Sequence, residues 1–361
     1  MHHGRKDARH TMSSAASTAN TPVRFALIGA GGMGGSHAAN LIASPETELV
    51  WVVDLDLERA RSWAERSGGR ATSDMDEALA DSNVDAVLIA LPTSLHRMAT
   101  ARAAAAGKHV FCEKPIARTV EDATAMTEAC ATAGVVFQVG HVVRFYPEYA
   151  RIKRVIDEGL LGQIAMVRTM RRSGPVMERS PWFADLEKNG GLIIDLMIHD
   201  LDTLRWYFGD VERVYAHGLS YTEWQQTRDV AMASLRFRNG VIAHLDASWA
   251  HGGFYTAIEV AGEKGLLSHN SRKNATLTFE SSEKAGITNS LPSIAFARPS
   301  TANPPMRELM HFVEAIRTGS PVLTDGEEAT RTLALAQSVL DSIRTGRPIV
   351  FADDATATSA I

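Results

Sequence analysis

Asp195 and His199 have the residue types and spacing of a proton-transferring pair. They lie four residues apart in the apolar stretch 190–202, so a helix there places both on one face together with Asp202. The surrounding side chains are large and apolar almost all round, which predicts a buried helix. Because a buried carboxylate and imidazole are costly unless hydrogen-bonded, we favour an active-site pair over a self-satisfied core pair. Asp202 is expected to be structural, and no accompanying cluster favours a metal site.

Lys114 is a candidate hydrogen-bond donor to a substrate oxygen. It follows the apolar run 109–113 and precedes Pro115, which favours an extended backbone at Lys114. Open α/β sheets place their ligands at the carboxyl ends of strands. Most lysines lie on the surface, so position alone leaves a surface role equally open. His141 and Arg144, at the join between two expected domains, could line a ligand cleft or anchor the junction by charge.

The glycine-rich turn after the first apolar run has the spacing that binds a dinucleotide. Gly29 would make the tight turn, Gly31 would let the backbone approach a pyrophosphate, and Gly34 would let the next helix lie close to the strand. The helix N-terminus offers unpaired N–H groups and the positive end of its dipole to the phosphates. Asp54, which closes the next apolar run, completes the fingerprint.

Asp54 predicts NAD as the cofactor. A carboxylate at this place accepts hydrogen bonds from ribose hydroxyls, whereas a 2′-phosphate would meet Asp54 and Asp56 as like charges. No Arg or Lys directly follows Asp54, and helical spacing is expected to turn Arg59 and Arg61 outward. Asp56 is interpreted as the N-cap of a helix over 57–66.

The N-terminal part of the chain predicts an α/β fold, a doubly wound parallel sheet of the Rossmann type. Apolar strands alternate there with Ala-rich helices, and Gly107 and Gly134 end two of the helices. The predicted strands are 23–28, 48–54, 84–91, 109–113 and 135–139. The predicted helices are 33–43, 57–66, 95–106 and 119–133, and the crossover 70–82 is less regular.

The C-terminal part predicts an α+β domain with one mostly antiparallel sheet. Arg238-Asn239-Gly240 between two alternating runs is a strong hairpin signal. The predicted strands are 163–172, 211–222, 229–238, 241–250, 254–261 and 275–280. The predicted helices are 147–158, 192–208, 305–318 and 326–344, and the segment 281–304 is expected to be a long irregular connection.

Length and composition indicate two folded domains. The 361 residues carry a formal net charge of −5 with mixed signs, which gives no reason to expect nucleic acid or membrane as a partner. No apolar run has membrane-spanning length, and two cysteines suggest no disulfide framework, so the cytoplasm is the expected compartment. The expected divisions are a disordered leader at 1–20, an NAD-binding Rossmann domain at 21–141, a substrate-binding and oligomerisation domain at 142–350, and a flexible tail at 351–361.

Several motifs together resemble the Gfo/Idh/MocA family, named after glucose–fructose oxidoreductase, inositol dehydrogenase and a rhizopine catabolism protein. The resemblance runs from about residue 23 to 350 and is specific for the family rather than for a substrate. It rests on the glycine turn, on Leu91–His96, Gly107–Pro115 and Gly140–Pro147, and on Gly190-Gly191 followed by Asp195 and His199.

The resemblance implies a set of site residues. The family's catalytic Lys, Asp and His fall on Lys114, Asp195 and His199. It also matches Pro92 and His96 to positions near the nicotinamide, with local packing as the alternative for His96. Together with the fingerprint, the residues expected to contact NAD are Gly29, Gly31, Gly32, Met33, Gly34, Asp54, Leu91, Pro92, Thr93, His96, Glu113 and Lys114. The residues expected to contact substrate are Lys114, His141, Arg144, Arg171, Ser173, Asp195 and His199. One face of the C-terminal sheet would line the substrate, and the other would form a homodimer or homotetramer interface.

One stretch departs from the inositol dehydrogenases of this family. Their strand entering the substrate pocket carries a His and an Asn, whereas this chain reads Met170-Arg171-Arg172-Ser173-Gly174-Pro175. This departure puts myo-inositol in doubt and leaves a sugar, a polyol or a derivative, anionic if Arg171 or Arg172 points inward. Both arginines could equally be exposed charges on the strand.

We therefore expect NAD-dependent oxidation of a secondary hydroxyl on a cyclic polyol or sugar. His199 would take the hydroxyl proton, and Lys114 would hydrogen-bond the same oxygen, although the two could exchange roles. Asp195 would orient His199 or a neighbouring substrate hydroxyl. One alternative is a glycoside hydrolase that uses NAD in transient oxidation and elimination. Another is a non-catalytic NAD-binding sensor, which would need no proton-transferring residues.

Overall fold

The computed structural model describes residues 21–174, 189–219, 230–273, 277–281, 293–297 and 303–352. The expected leader at 1–20 lies outside these residues, as does the expected tail from residue 353 onward. Phe351, predicted to begin the flexible tail, donates its N–H to the Glu212 carbonyl oxygen at 2.9 Å. None of the described helices is long and apolar enough to cross a membrane.

The N-terminal sheet is the predicted doubly wound Rossmann sheet. Its six parallel strands run in the order β3-β2-β1-β4-β5-β6. They are β1 Val23–Ile28, β2 Thr47–Val53, β3 Arg70–Thr72, β4 Ala86–Ile89, β5 His109–Glu113 and β6 Phe137–Gly140. The helices between them are α1 Gly32–Ala43, α2 Leu57–Ser67, α3 Met75–Ala80, α4 His96–Ala105 and α5 Val120–Ala133. β3 and α3 occupy the crossover that was predicted to be less regular, because each is too short to show a clear period.

Local sequence explains where these helices begin and end. The Asp56 side chain accepts the Arg59 N–H at 3.2 Å, which confirms the predicted N-cap of α2. α5 ends at Gly134, whose φ of 66° is left-handed. The N-cap at Asp56 lies at the carboxyl edge of the sheet, where the loops that carry the candidate site begin.

The C-terminal sheet has nine described strands in the order β14-β13-β12-β11-β7-β10-β9-β8-β15. Only the β7–β10 pair is parallel among them, so the sheet is mostly antiparallel, as predicted. The strands are β7 Ile164–Arg172, β8 Val211–Leu219, β9 Val230–Phe237, β10 Ile242–Ser248, β11 Tyr255–Gly262, β12 Gly265–Asn270, β13 Leu277–Ser281, β14 Ser293–Ala297 and β15 Ile349–Val350. β12 was missed in the sequence, and β14 lies inside the segment predicted to be irregular. The end of the strand predicted over 211–222 lies outside the described residues.

The remaining helices pack around this sheet and between the two sheets. They are α6 Pro147–Asp157, α7 Ile198–Phe208, α8 Pro304–Thr318 and α9 Gly326–Thr345. Short 3₁₀ turns form at Thr93–Leu95 and Val142–Phe145. One face of the sheet, the inner face, buries residues such as Leu235, Leu245 and Val260. The other, the open face, exposes apolar side chains that include Met232 and Ile242.

Helix α8 belongs to the core of the Rossmann domain, although it was predicted to lie in the domain 142–350. The Phe312 ring lies 5.8 Å from the Phe111 ring and 6.2 Å from the Phe25 ring, measured between centroids. Leu309 and Val313 are buried in the same cluster. The chain therefore returns to the first sheet after building the second.

Candidate active site

The glycine turn forms an open cradle between β1 and α1. Gly29 has a φ of 93°, and a Cβ there would meet the Ala90 carbonyl oxygen at 2.6 Å. A Cβ on Gly34 would lie 1.9 Å from the Gly29 carbonyl oxygen, so only glycine lets α1 pack this closely. A Cβ on Gly31 or Gly32 would meet no atom within 4 Å. The open space and the N–H groups of the helix N-terminus therefore fit a pyrophosphate.

Asp54 follows β2 and faces this cradle. Its Oδ2 accepts the Ala30 N–H at 2.8 Å, and its Oδ1 accepts the Asp56 N–H at 2.9 Å. The prediction that Arg59 turns outward is wrong, because its Nη1 lies 3.3 Å from both Asp54 oxygens and its Nη2 lies 2.9 Å from Asp56 Oδ2. The two carboxylates attract the guanidinium back over the start of α2. Arg61 lies on the exposed surface, as predicted.

The loop after β4 runs along the same edge of the sheet and contains Leu91, Pro92 and Thr93. His96 is buried behind this loop, with Nε2 2.9 Å from the Leu91 carbonyl oxygen and Nδ1 3.0 Å from the Pro115 carbonyl oxygen. Burial lowers the pKa of His96. Its ring therefore joins the loop after β4 to the loop after β5.

Lys114 lies just beyond the carboxyl end of β5 and reaches the segment that carries Asp195. Its Nζ donates hydrogen bonds to Asp195 Oδ1 at 2.9 Å and to the Asp195 carbonyl oxygen at 2.7 Å. Each of the two side chains is 17% exposed, so the ion pair is mostly buried. The neighbouring Glu113 carboxylate turns into the core, where its Oε1 lies 2.6 Å from His37 Nε2. Lys114 and Asp195 thus join the two domains at the edge where NAD-binding sheets hold their ligand.

The segment with Asp195 and His199 is not the continuous α-helix that was predicted. Residues Ile193–Met197 form a single turn of π-helix, here called the π-turn, and α7 continues from there. Such turns are frequent at functional sites, and their wider spacing removes the strict stacking of residues four apart. In the described contacts the Asp195 carboxylate bonds to Lys114 rather than to His199. A direct orienting contact from Asp195 to His199, one of two roles predicted for it, is therefore not what the structure shows.

His199 provides a neutral imidazole near this ion pair. Its Nδ1 is buried and has no hydrogen-bond partner in the part of the chain that the structure describes. Loss of solvation, together with the positive charges of Lys114 and Arg171, lowers the pKa of His199 well below its ordinary value of 6.5. The imidazole is therefore unprotonated at neutral pH and able to accept a proton.

Two arginines that were predicted to contact substrate are each paired with a carboxylate of α7. Arg171 Nε and Nη2 bond to Asp200 at 2.8 and 3.1 Å. Arg144 Nε and Nη2 bond to Asp202 at 2.9 and 2.7 Å. These four side chains are at most 4% exposed. Because a buried guanidinium requires such a partner, both charges are neutralised in the core. Arg144 also donates to the Leu323 carbonyl oxygen at 2.9 Å, so it joins three segments of the chain.

The other predicted substrate contacts lie around these pairs. His141 is 1% exposed, and burial lowers its pKa. Ser173 is also buried, and its hydroxyl bonds to the carbonyl oxygen of the next residue. Arg172 points to the open face, where it pairs with Asp246. Arg171 is therefore the inward arginine of the two.

His37 and Trp249 were not singled out in the sequence. Trp249, directly after β10, is 1% exposed, and its indole N–H has no hydrogen-bond partner among the described residues. Nothing in the sequence separates it from an ordinary core aromatic. His37 carried a signal, because it is a polar residue on the face of α1 that must pack on the sheet.

The described ranges contain no group of three or more His, Cys, Asp or Glu side chains that could hold a metal ion. Cys112 and Cys130 are both free and buried. Burial raises the pKa of both thiols, to about 12 for Cys130. Neither thiol is therefore a candidate nucleophile.

Two family models match the chain. Residues 23–141 match "Oxidoreductase family, NAD-binding Rossmann fold", the Gfo/Idh/MocA model. Residues 149–268 match "GFO/IDH/MocA C-terminal domain". Together the two matches cover both the cradle and the segment that carries Asp195 and His199.

The chain aligns with named relatives over nearly their full length. The chain is 32% identical to scyllo-inositol 2-dehydrogenase (NAD(+)) of Bacillus subtilis, over 91% of this chain and 96% of that protein. It is 31% identical to D-apiose dehydrogenase of Paraburkholderia graminis, over 95% of this chain and 93% of that protein. The crystal structure of GenD2 from gentamicin A biosynthesis, in complex with NAD, superimposes with a TM-score of 0.81 and 27% identity, covering 97% of this chain and 100% of GenD2.

Proposed function

We propose, because this chain belongs to the Gfo/Idh/MocA family of NAD-dependent oxidoreductases, that it oxidises a secondary hydroxyl of a cyclic polyol, sugar or sugar derivative. The observation that best supports the proposal is that Lys114 contacts Asp195 and that its charge also reaches His199, whose pKa it helps to lower. Bound NAD supplies the nicotinamide ring that accepts a hydride. The binding, orientation and proton transfer fall to the chain's own side chains.

His199 is the proposed acceptor of the hydroxyl proton. Its lowered pKa keeps the ring neutral, and a neutral imidazole can take a proton at the moment that the hydride leaves. Lys114 already donates to a carboxylate and a carbonyl oxygen, which supports a donor rather than an acceptor role. We therefore assign the base to His199, out of the two assignments that the sequence left open.

Lys114 is the proposed stabiliser of the developing alkoxide. An ammonium aimed at the reacting oxygen stabilises negative charge most strongly where water is excluded. Asp195 holds this ammonium from the side of the π-turn, through its carboxylate and its carbonyl oxygen. Asp195 is thus proposed to act through Lys114, or on a neighbouring substrate hydroxyl.

The NAD-binding residues are proposed from the cradle and its rim. Gly29, Gly31, Gly32 and Gly34 give the pyrophosphate its space, and Asp54 is placed to accept from the ribose hydroxyls. Met33 is 52% exposed at the start of α1, and Leu91, Pro92 and Thr93 follow β4 at the same edge. Glu113 and His96 support these loops from the core.

The neutralised arginines favour an uncharged substrate. Arg171 is the inward arginine, but Asp200 takes two of its donors, so the pair carries no net charge. Lys114 is likewise matched by Asp195. A neutral polyol or sugar could hydrogen-bond to these groups and to Ser173 or His141, whereas an anion would meet no unmatched cation among the described residues at the site.

We also propose that the open face joins two copies of the chain. Tyr215, Leu219, Met232 and Ile242 expose apolar surface on this face, and an apolar face of this kind rarely stays exposed in a monomer. Sedimentation at micromolar concentration should show a dimer or tetramer. Met232→Glu should dissociate it, whereas Leu55→Glu, at a still more exposed apolar residue just before α2, should not. A monomeric wild-type protein would contradict the proposal.

A substrate panel tests the proposed reaction. Purified protein is mixed with NAD and with inositols, aldoses, anhydrosugars or sugar acids, and NADH is followed by its absorbance. We expect NADH to accumulate with at least one neutral cyclic polyol or sugar. Turnover of a glycoside without accumulation of NADH would replace the dehydrogenase with an NAD-dependent hydrolase, and NAD binding without any turnover would point to a sensor.

A further inference from the structure

We propose that His37 is a positioning residue for Lys114. Through Glu113, His37 fixes the position of Lys114 relative to the cofactor-binding helix α1. His37 has no role in the proposed reaction described above, and the inference rests on the proposed role of Lys114. The orientation of Lys114, the proposed hydrogen-bond donor to substrate, would then depend on His37, a residue of the helix that begins at the NAD cradle.

The contact chain runs through three residues and two elements. His37 lies on α1, and its Nε2 is 2.6 Å from Glu113 Oε1 at the end of β5. The other oxygen, Glu113 Oε2, accepts the backbone N–H of Lys114 at 3.1 Å. The same carboxylate therefore meets the helix with one oxygen and the Lys114 peptide with the other.

The His37–Glu113 pair is enclosed by neighbouring side chains and backbone, which restrict it to this geometry. The His37 side chain is 1% exposed and the Glu113 side chain 10% exposed. The His37 ring also lies against Phe111, 5.5 Å between centroids. A Cβ on Gly140 would lie 3.3 Å from Glu113 Oε2, so the neighbouring strand closes the far side of the carboxylate. Side chains locked in this way hold a site more accurately than exposed ones do.

The hydrogen bond with His37 favours the charged form of Glu113. Burial alone would raise the pKa of Glu113, but contact with His37 and the nearby charge of Lys114 bring it below its ordinary value. Glu308 is also buried nearby, and burial together with the charge of Glu113 raises its pKa well above the ordinary value. Glu308 therefore favours its neutral form more than an ordinary glutamate does, whereas Glu113 favours its charged form. Without His37, Glu113 would lose its closest partner and its fixed position.

Helix α1 is a rigid reference for this contact. The close approach of Gly34 to the Gly29 carbonyl oxygen fixes its first turn on β1, independently of His37. Loss of His37 should therefore leave the NAD cradle in place and release the Lys114 peptide. Displacement of a reacting group by about 1 Å can cost about a hundredfold in rate.

Three variants test the inference in the full-length protein. His37→Leu removes the contact while keeping an apolar side chain of similar bulk. His37→Gln keeps an amide N–H close to the position of Nε2. His109→Leu is the matched control, because His109 lies on β5 and accepts the Val136 N–H at 3.0 Å, far along the strand from Lys114. For each variant, kcat on the substrate found in the panel, the KM for that substrate, the Kd of NAD and the melting temperature are measured.

We expect His37→Leu to lower kcat by about tenfold to a hundredfold with little change in the Kd of NAD. His37→Gln should recover most of this loss, and His109→Leu should change the melting temperature but not kcat. Unchanged kcat per NAD site in His37→Leu would overturn the inference, as would a loss of NAD affinity in step with activity. If the wild-type protein turns over nothing, the proposed function fails, and a crystal structure of His37→Leu still decides this inference. An Nζ of Lys114 that has left Asp195 supports it, and an undisturbed Nζ–Oδ1 distance refutes it.

Discussion

The cofactor cradle between β1 and α1 is made of backbone N–H groups and of space left by glycines, whereas the proposed substrate end is made of side chains held by ion pairs. In the cradle, a Cβ on Gly31 or Gly32 would touch nothing, and Asp54 is fixed by backbone N–H groups. At the substrate end, Lys114 and Arg171 each have a carboxylate partner on the segment that begins with the π-turn.

Because of this difference, the cofactor end and the proposed substrate end depend on the rest of the protein in different ways. A cradle built of backbone requires only a local sequence that can make the turn. A site built of buried charges requires partners from distant parts of the chain, because an unmatched buried charge is strongly destabilising. The cofactor end should therefore tolerate changes in the core, and the substrate end should lose activity and stability together when a partner is removed.

The largest effect is expected at the substrate end. Lys114→Ala and His199→Ala should each lower turnover by about two to four orders of magnitude, the usual scale for a positioned proton-transferring group, and should leave NAD binding largely intact. Asp195→Asn should act similarly, because it removes the charge that holds the Lys114 ammonium. Turnover per NAD-binding site and melting temperature are measured together. Lys153→Ala is the control, because Lys153 on α6 is similarly buried and pairs with Asp157 away from the candidate site. A normal rate in a less stable variant would assign these residues to the core instead.

The next effect concerns stability. Asp200→Ala would leave the Arg171 guanidinium buried without a partner, and we expect a loss of about 3–5 kcal/mol in the free energy of unfolding. Asp246→Ala removes the partner of Arg172, the adjacent residue on the open face, and should cost less than about 1 kcal/mol. Urea unfolding of both variants measures the difference. Equal losses in the free energy of unfolding would contradict the proposed difference between the buried Arg171–Asp200 pair and the Arg172–Asp246 pair on the open face.

A smaller effect is expected at the cofactor end. Asp54→Ser should weaken NAD binding by about 1.5–3 kcal/mol and narrow the preference over NADP, because a charged acceptor for the ribose hydroxyls is lost. The change would also release Arg59, which now contacts Asp54, toward a 2′-phosphate. Adding Arg59→Ala should remove any gain in NADP affinity. A wild-type protein that binds NADP more tightly than NAD would contradict the assignment of Asp54 as the acceptor for the ribose hydroxyls.

The smallest effect is a pH dependence of stability. The pKa of His199 is lower in the fold than its ordinary value of 6.5, so the unfolded chain takes up a proton that the folded chain does not. The stability that His199 contributes is therefore present above pH 6.5 and is lost as the pH falls toward the lowered value, by up to about 1.4 kcal/mol per pH unit. His96 and His141 add in the same direction. Urea unfolding between about pH 7.5 and about pH 5 should show a shallower slope for His199→Gln than for wild type. Identical slopes would contradict the lowered pKa.

Sequence and structure agree best where a pattern is local. The glycine turn, the N-cap at Asp56 and the strand–helix alternation follow from short-range periodicity and backbone geometry, so the Rossmann sheet was predicted strand by strand except for β3. The antiparallel sheet was predicted in outline. β12 was missed because its short run alternates weakly, and its pairing with β11 comes from the sheet.

The partners of buried charges did not follow from the sequence. Spacing placed Asp195 and His199 on one face, but the π-turn and the ammonium of Lys114 decide what Asp195 contacts. Arg59 was expected to point outward by helical spacing, yet two carboxylates draw it back. Which carboxylate meets which cation depends on elements that lie far apart in the chain, and a single sequence carries no record of that.

Helix α8 has a consequence for the order in which the protein can mature during its synthesis. The Rossmann strands emerge first from the ribosome, but Phe25 and Phe111 pack against Phe312. Phe312 is synthesised about two hundred residues after Phe111. Until that helix arrives, one side of the nascent sheet has an apolar surface without its final cover. The first domain should therefore remain a client of chaperones while the second is being translated, and the two domains should reach their native cores nearly together.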